Sequence, residues 1–116
     1  LSALDHIMND IDDRVVQLYM LISYDVVRKC NLPFDFIEFE GLVYDHRDRF
    51  EGFLTRYREF YQAFERTISR GIEEEVFNDC LVDEQVVTIL SITEGIQHII
   101  TRSCAAISFW FHAITK

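Results

Sequence analysis

From Glu84 to Ile114 nothing but Gly95 interrupts a run of helix-compatible residues. At 1.5 Å per residue this stretch predicts a helix roughly 45 Å long, more than a chain of 116 residues needs to cover itself. Its apolar residues also take more than one face. Val86, Ile89, Ile96 and Ile100 fall on one side, and Val87, Leu90, Ile92 and Ile99 point toward others. A helix that is apolar on two sides in so small a domain is expected to pack its own bundle with one side and a second subunit with another. The chain is therefore expected to be an all-α antiparallel bundle of four to five helices that dimerises through its long final helix. Four glycines and one proline are too few for an all-β sandwich with a turn every ten residues or so.

The length fits one domain, residues 1–116, and a 49% hydrophobic composition supplies a real core. A formal net charge of -9 argues against this segment gripping a phosphate backbone by itself. Cys30, Cys80 and Cys104 cannot all pair internally and lack metal-ligand spacing, so free thiols in a reducing cytoplasm are expected. The richest apolar stretch, SCAAISFWFHAI, is shorter than the ~20 residues a membrane span needs. No basic leader precedes an apolar run, and the chain begins at Leu1 without an initiator Met, which reads as a segment removed upstream.

Further back, Leu4, Ile7, Met8, Ile11, Val15, Leu18, Tyr19, Ile22 and Val26 recur at steps of three and four. The acidic cluster Asp10, Asp12, Asp13 marks a break, with Asp12 as N-cap of a second helix reaching about Lys29. Arg14, Gln17, Asp25 and Arg28 fall on one face of that helix. This reads as a solvated face on which Asp25 pairs with Arg28 or Lys29. After Pro33, FDFIEFEGLVY predicts a short helix with an aromatic flank. Residues 46–70 carry the cleanest stripe: Phe50, Phe53, Leu54, Tyr57, Phe60, Tyr61, Phe64 and Ile68. Gly71 stands where a left-handed residue would end that helix, and Asp83 where one would cap the last.

Catalytic patterns are absent: there is no Gly-rich phosphate loop, no G-x-S-x-G, no H-E-x-x-H and no C-x-x-C. His6, His46, His98 and His112 lie one to a segment. Glu94 and His98 share a face at i, i+4 and could contribute to a metal site. A di-iron bundle, however, needs Glu-x-x-His on two helices, and His98 reads as part of a polar seam with Thr88, Ser91 and Arg102. No enzyme activity, metal or cofactor is expected. The arginines of the middle helix, Arg47 to Arg70, are mixed with acids, and their interleaved aromatics belong to the core stripe. They read as a solvated face and not as a nucleic-acid surface.

The stretch YREFYQAFERTISRGIEEEVFND, followed by DEQVVTILSITEGIQHII, resembles the C-terminal domain of the TetR family of bacterial transcriptional regulators. There a helix ends in Gly, followed by a second Gly, an acid and a Phe, and then an Asp opens a helix with a central Gly. Gly71, Phe77, Asp83 and Gly95 match; Glu75 stands where the second Gly is usual and Val76 where the acid is. The resemblance implies a cytoplasmic homodimer that encloses a small apolar or aromatic effector. It would bind DNA only through an N-terminal helix-turn-helix domain not present in this chain, and effector binding would release DNA. It would place Ile92, Gly95, Ile96, Ile99 and Trp110 at the dimer interface. Tyr19, Phe36, Phe39, Phe53, Tyr57 and Phe60 would line the pocket, with Thr93 and Gln97 as polar contacts. The family's usual further helix after the long one has no separate counterpart before Lys116. The alternative from another class is a free-standing acidic helical adaptor that binds another protein through its last helix.

Overall fold

A helix leaves its first backbone N–H groups unbonded, and the first three helices start where a short polar side chain accepts from them. The computed structural model describes residues 2–115, with the side chains of 104–111 outside the description. Ser2 Oγ accepts from Asp5 N (3.2 Å) and opens α1, Ala3–Asp10. Asp13 Oδ1 accepts from Val15 N (2.9 Å) and Val16 N (3.2 Å) and opens α2, Arg14–Cys30. The break thus falls at the acidic cluster, but the cap is Asp13 and not Asp12, because the Asp13 carboxylate is the one that reaches both N–H groups. Asp35 Oδ1 accepts from Ile37 N (2.9 Å) ahead of α3, Phe36–Asp45. A 3₁₀ turn, Arg47–Arg49, leads into α4, Glu51–Glu73, and α5 spans Val82–Ile114. Asp83 therefore lies inside the first turn of α5 instead of capping it. Its carboxylate meets Tyr61 and Glu65 of α4, adding to the burial that already raises the pKa of both.

The end of α4 corrects the reading of Gly71. That glycine is buried and still helical. Its carbonyl accepts from Val76 N (2.9 Å) and Phe77 N (3.0 Å), while Glu75 N donates to Ile72 O (3.1 Å). This is a Schellman turn, and its left-handed residue is Glu75, with φ 62°. What requires glycine at 71 is proximity: a Cβ there would stand 2.0 Å from Phe77 Cδ2. The ring of Phe77 folds back onto the helix it has just left.

The main core draws on four helices: Ile7 from α1, Leu21 from α2, Phe60, Ala63, Phe64 and Ile68 from α4, and Val86 and Leu90 from α5. Leu18 and Ile89 border one crevice, Asp25 meets Thr93, and Lys29 reaches Glu94. Residue numbers rise together in these pairs, so α2 and α5 run side by side in the same direction. α4 is antiparallel to both, with Thr67 at Gln17 and Tyr57 at Glu94. α3 covers the far end of the α4–α5 groove. The molecule measures 60 × 33 × 29 Å, its long dimension in keeping with α5, which rises for about 50 Å. None of the described helices is long and apolar enough to cross a membrane.

Candidate functional site

The face of α2 that reads as solvated is instead the one it buries. Gln17, Asp25 and Lys29 are 0% exposed. They do share a side of the helix, but α4 and α5 close over that side, and each polar group is tied to a partner there. Gln17 Nε2 donates to Ile7 O (3.1 Å), satisfying a carbonyl in the last turn of α1, and Gln17 Oε1 accepts from Thr67 Oγ1 (3.1 Å) and Arg14 Nη1 (3.0 Å). Buried polar groups are tolerated on those terms.

Two turns on, Lys29 Nζ donates to Asp25 Oδ2 (3.0 Å) and to Thr93 Oγ1 (3.0 Å). The Thr93 hydroxyl donates in turn to Asp25 Oδ2 (2.5 Å). Asp25 Oδ1 makes no hydrogen bond among the described residues; Arg28 Nη2 stands 3.6 Å from it, beyond bonding distance. Lys29 also lies 3.8 Å from Glu94 Oε1 and 4.8 Å from the centre of the Phe36 ring, where the negative face of the aromatic attracts it. At the end of the seam Gln97 clamps the entry to α3, accepting from Phe36 N (2.9 Å) and donating to Phe34 O (2.8 Å). His98 Nδ1 pairs with Asp35, the α3 cap, and not with Thr88, Ser91 or Arg102. Burial alone would raise the Asp35 pKa, but its bond to His98 and the Ile37 N–H hold it below the usual value.

Four of the expected pocket residues come together where this seam opens. Phe36, Phe39, Phe53 and Tyr57 stack or meet edge to face, with ring centres 5.1–6.4 Å apart. Beside them lies a cavity of about 130 Å³, bordered by Glu40, Val43, Tyr44, Arg47, Phe53, Leu54 and Tyr57. Behind it, the Tyr57 hydroxyl is 3.5 Å from Glu94 Oε1. Burial, and then the neighbouring Glu40 carboxylate, raise the Glu94 pKa to about 7, against the pull of Lys29 downward. Glu40 thus stands close enough to Glu94 for their charges to oppose each other. Burial and the same two glutamates raise the Tyr57 pKa, so its hydroxyl stays protonated.

The other expected pocket residues lie elsewhere. Tyr19 is 69% exposed on the outside of α2, because its position falls opposite the buried Leu21 and Gln17 stripe. Phe60 belongs to the main core against Phe64 and Tyr24, with the Arg28 guanidinium 4.6 Å from its ring centre. Thr93 and Gln97 are buried but committed to the bonds above. On the outer side of α5, Ile92, Ile96 and Ile99 are exposed, and a Cβ on Gly95 would meet nothing. Trp110 lies outside the described side chains.

Glu40 and Asp35 are the site residues that the sequence reading missed, and Lys29, read as a partner of Asp25 on a solvated face, pairs with it in the interior. The i, i+4 spacing of Asp25 and Lys29 inside an apolar run was a visible signal, whereas Glu40 meets Glu94 only through the tertiary fold. Among the described residues no group of three or more His, Cys, Asp or Glu is placed to hold a metal ion, and Cys30 and Cys80 are free thiols. No family model, no curated protein and no solved structure matches this chain.

Proposed function

We propose that this chain is the small-molecule-sensing and dimerisation domain of a TetR-like bacterial transcriptional regulator, working in the cytoplasm as a homodimer. The observation that carries the reading is the double engagement of α5. Thr93, Glu94, Gln97 and His98 bind it into the polar seam and the wall of the aromatic cavity. Ile92, Ile96 and Ile99 on the same helix face outward. A ligand that preferred one position of α5 would alter the dimer face by the same free energy, since coupling between sites is reciprocal.

The outer isoleucines are partly exposed, so full burial would contribute roughly 1 kcal/mol each. Both copies together then supply about as much as the ~4–15 kcal/mol that association costs. The stripe alone makes a weak dimer. Sedimentation equilibrium tests the reading. A dimer that Ile96→Glu converts to a monomer with unchanged helical content supports it. A monomer at all accessible concentrations removes the homodimer and favours an adaptor that offers α5 to another protein.

A further inference from the structure

We propose that the cavity between α3, α4 and the 3₁₀ turn takes a small organic cation, with its apolar body against Phe53 and Leu54 and its charge at Glu40, where Glu94 stands behind. The inference rests on reading this cavity as the ligand site of the domain, and it names the chemical class of that ligand.

Size comes first. A cavity of about 130 Å³ is on the scale of the ~150 Å³ that admits a benzene ring, so the site suits a single ring or a short alkyl group. Charge follows from the walls. Glu40 borders the cavity and Glu94 lies behind Tyr57, both half-buried. The Glu40 carboxylate is the one acidic group among the described residues that border the cavity, and Glu94 lies 3.5 Å behind the Tyr57 hydroxyl. An ammonium group placed at Glu40 pairs with that carboxylate and offsets its repulsion with Glu94. A carboxylate ligand would instead add a like charge beside Glu40.

The facing groups from each element agree. α2 contributes Lys29, which is engaged by Asp25 and Thr93 and also lies 3.8 Å from Glu94 but does not border the cavity, and α4 contributes the neutral Tyr57 hydroxyl. α5 contributes Glu94 itself, and α3 contributes Glu40. Arg47 is the one cation at the rim among the described residues that border the cavity. Its guanidinium is exposed and lies 4.5 Å from the centre of the Tyr44 ring, so its charge is solvated outside. The aromatic walls add attraction for a cation that a neutral or anionic ring would not receive.

The test uses three probes of one shape: benzylamine, benzyl alcohol and benzoate, titrated calorimetrically into the full chain. Benzylamine should bind at least about tenfold tighter than benzyl alcohol, and benzoate should not bind. Glu40→Gln should weaken benzylamine about tenfold while circular dichroism stays unchanged. Arg47→Ala, at an exposed position, should tighten it about two- to fivefold by removing a like charge. Binding should release a proton near neutral pH, read from titrations in two buffers of different ionisation enthalpy. Benzyl alcohol or benzoate binding as tightly as benzylamine overturns the proposal, as does a Glu40→Gln variant of undiminished affinity. Sedimentation of the same samples separates the two readings. A monomer that binds benzylamine through Glu40 leaves the cation site standing and removes the dimer. A dimer that binds none of the probes overturns the cation site alone.

Discussion

Replacing Lys29 by Met tests whether the buried polar seam stabilises the fold or only tolerates its own presence. Lys29 Nζ lies 3.0 Å from Asp25 Oδ2 and 3.8 Å from Glu94 Oε1, so at an effective dielectric near 20 each attraction is roughly 4–6 kcal/mol before desolvation is counted. Met fills the volume of the aliphatic stem but leaves Asp25 fully buried, with the Thr93 hydroxyl as its one strong donor. Losing one partner of a buried pair costs about 3–5 kcal/mol, a large share of the ~5–15 kcal/mol typical of a whole domain. Replacing both, as Asp25→Leu with Lys29→Met, removes the orphaned charge. The Thr93 hydroxyl can then turn its one proton to Leu90 O (2.9 Å), and Arg28 remains partly solvated over Phe60. The double variant should lie within about 1 kcal/mol of the parent, or above it. Urea melts followed by far-UV circular dichroism supply the four corners of the cycle, and the coupling should exceed about 2 kcal/mol. Glu94 adds a pH signature. Its pKa in the folded state is raised from 4.5 to about 7, so its contribution is fully present below 4.5 and is lost as pH rises through 7. Lys29 pulls that pKa down; without it the window widens upward. Lys29→Met should therefore regain more stability than the parent between about pH 7.5 and about pH 5.5. A double variant that loses the sum of its single losses, with no extra recovery in acid, would refute the reasoning.

Gly71→Ala improves helix propensity by about 1 kcal/mol but drives Phe77 off the helix, so it should lower stability by about 1–2 kcal/mol in urea melts; in a Phe77→Ala background the same change should become stabilising. Glu75→Gly relieves a left-handed residue and should raise stability by about 1 kcal/mol, visible as a higher midpoint at unchanged slope. Asp35→Ala loses the α3 cap and the His98 pair, at a cost of about 1–2 kcal/mol. Because the folded-state pKa of Asp35 is lowered from 3.8, its contribution is present above 3.8 and disappears as pH falls below it, so the gap between variant and parent should narrow in acid melts.

Helix positions were legible because apolar residues recur at helical spacing, and the α4 stripe from Phe50 to Ile68 packs largely as its spacing predicts. The sense of the polar stripe was not legible. Periodicity places Gln17, Asp25 and Arg28 on one face but carries no sign of which face meets a neighbour, and the bland assignment put them in water. The clustering of Phe36, Phe39, Phe53 and Tyr57 followed from two stripes converging. Tyr19 failed to join because its position falls opposite the stripe of α2 that is buried. Gly71 was recognised as special for the wrong reason. The left-handed backbone sits four residues later, on a glutamate that no propensity rule would nominate.

The parallel pairing of α2 with α5 carries a consequence for alignment. Two helices whose touching faces were purely apolar could slide past each other by one turn, about 5.4 Å, and find nearly equivalent contacts. Here that slip is keyed. It would part Lys29 from Thr93 and withdraw Gln97 from the backbone of Phe34 and Phe36. Each orphaned group costs about 1–3 kcal/mol, so neighbouring alignments lie far above the native one. A seam that adds little net stability thereby selects a single register. The apolar double variant, with Gln97→Leu added to release the second key, should show broadened amide resonances where α2 meets α5.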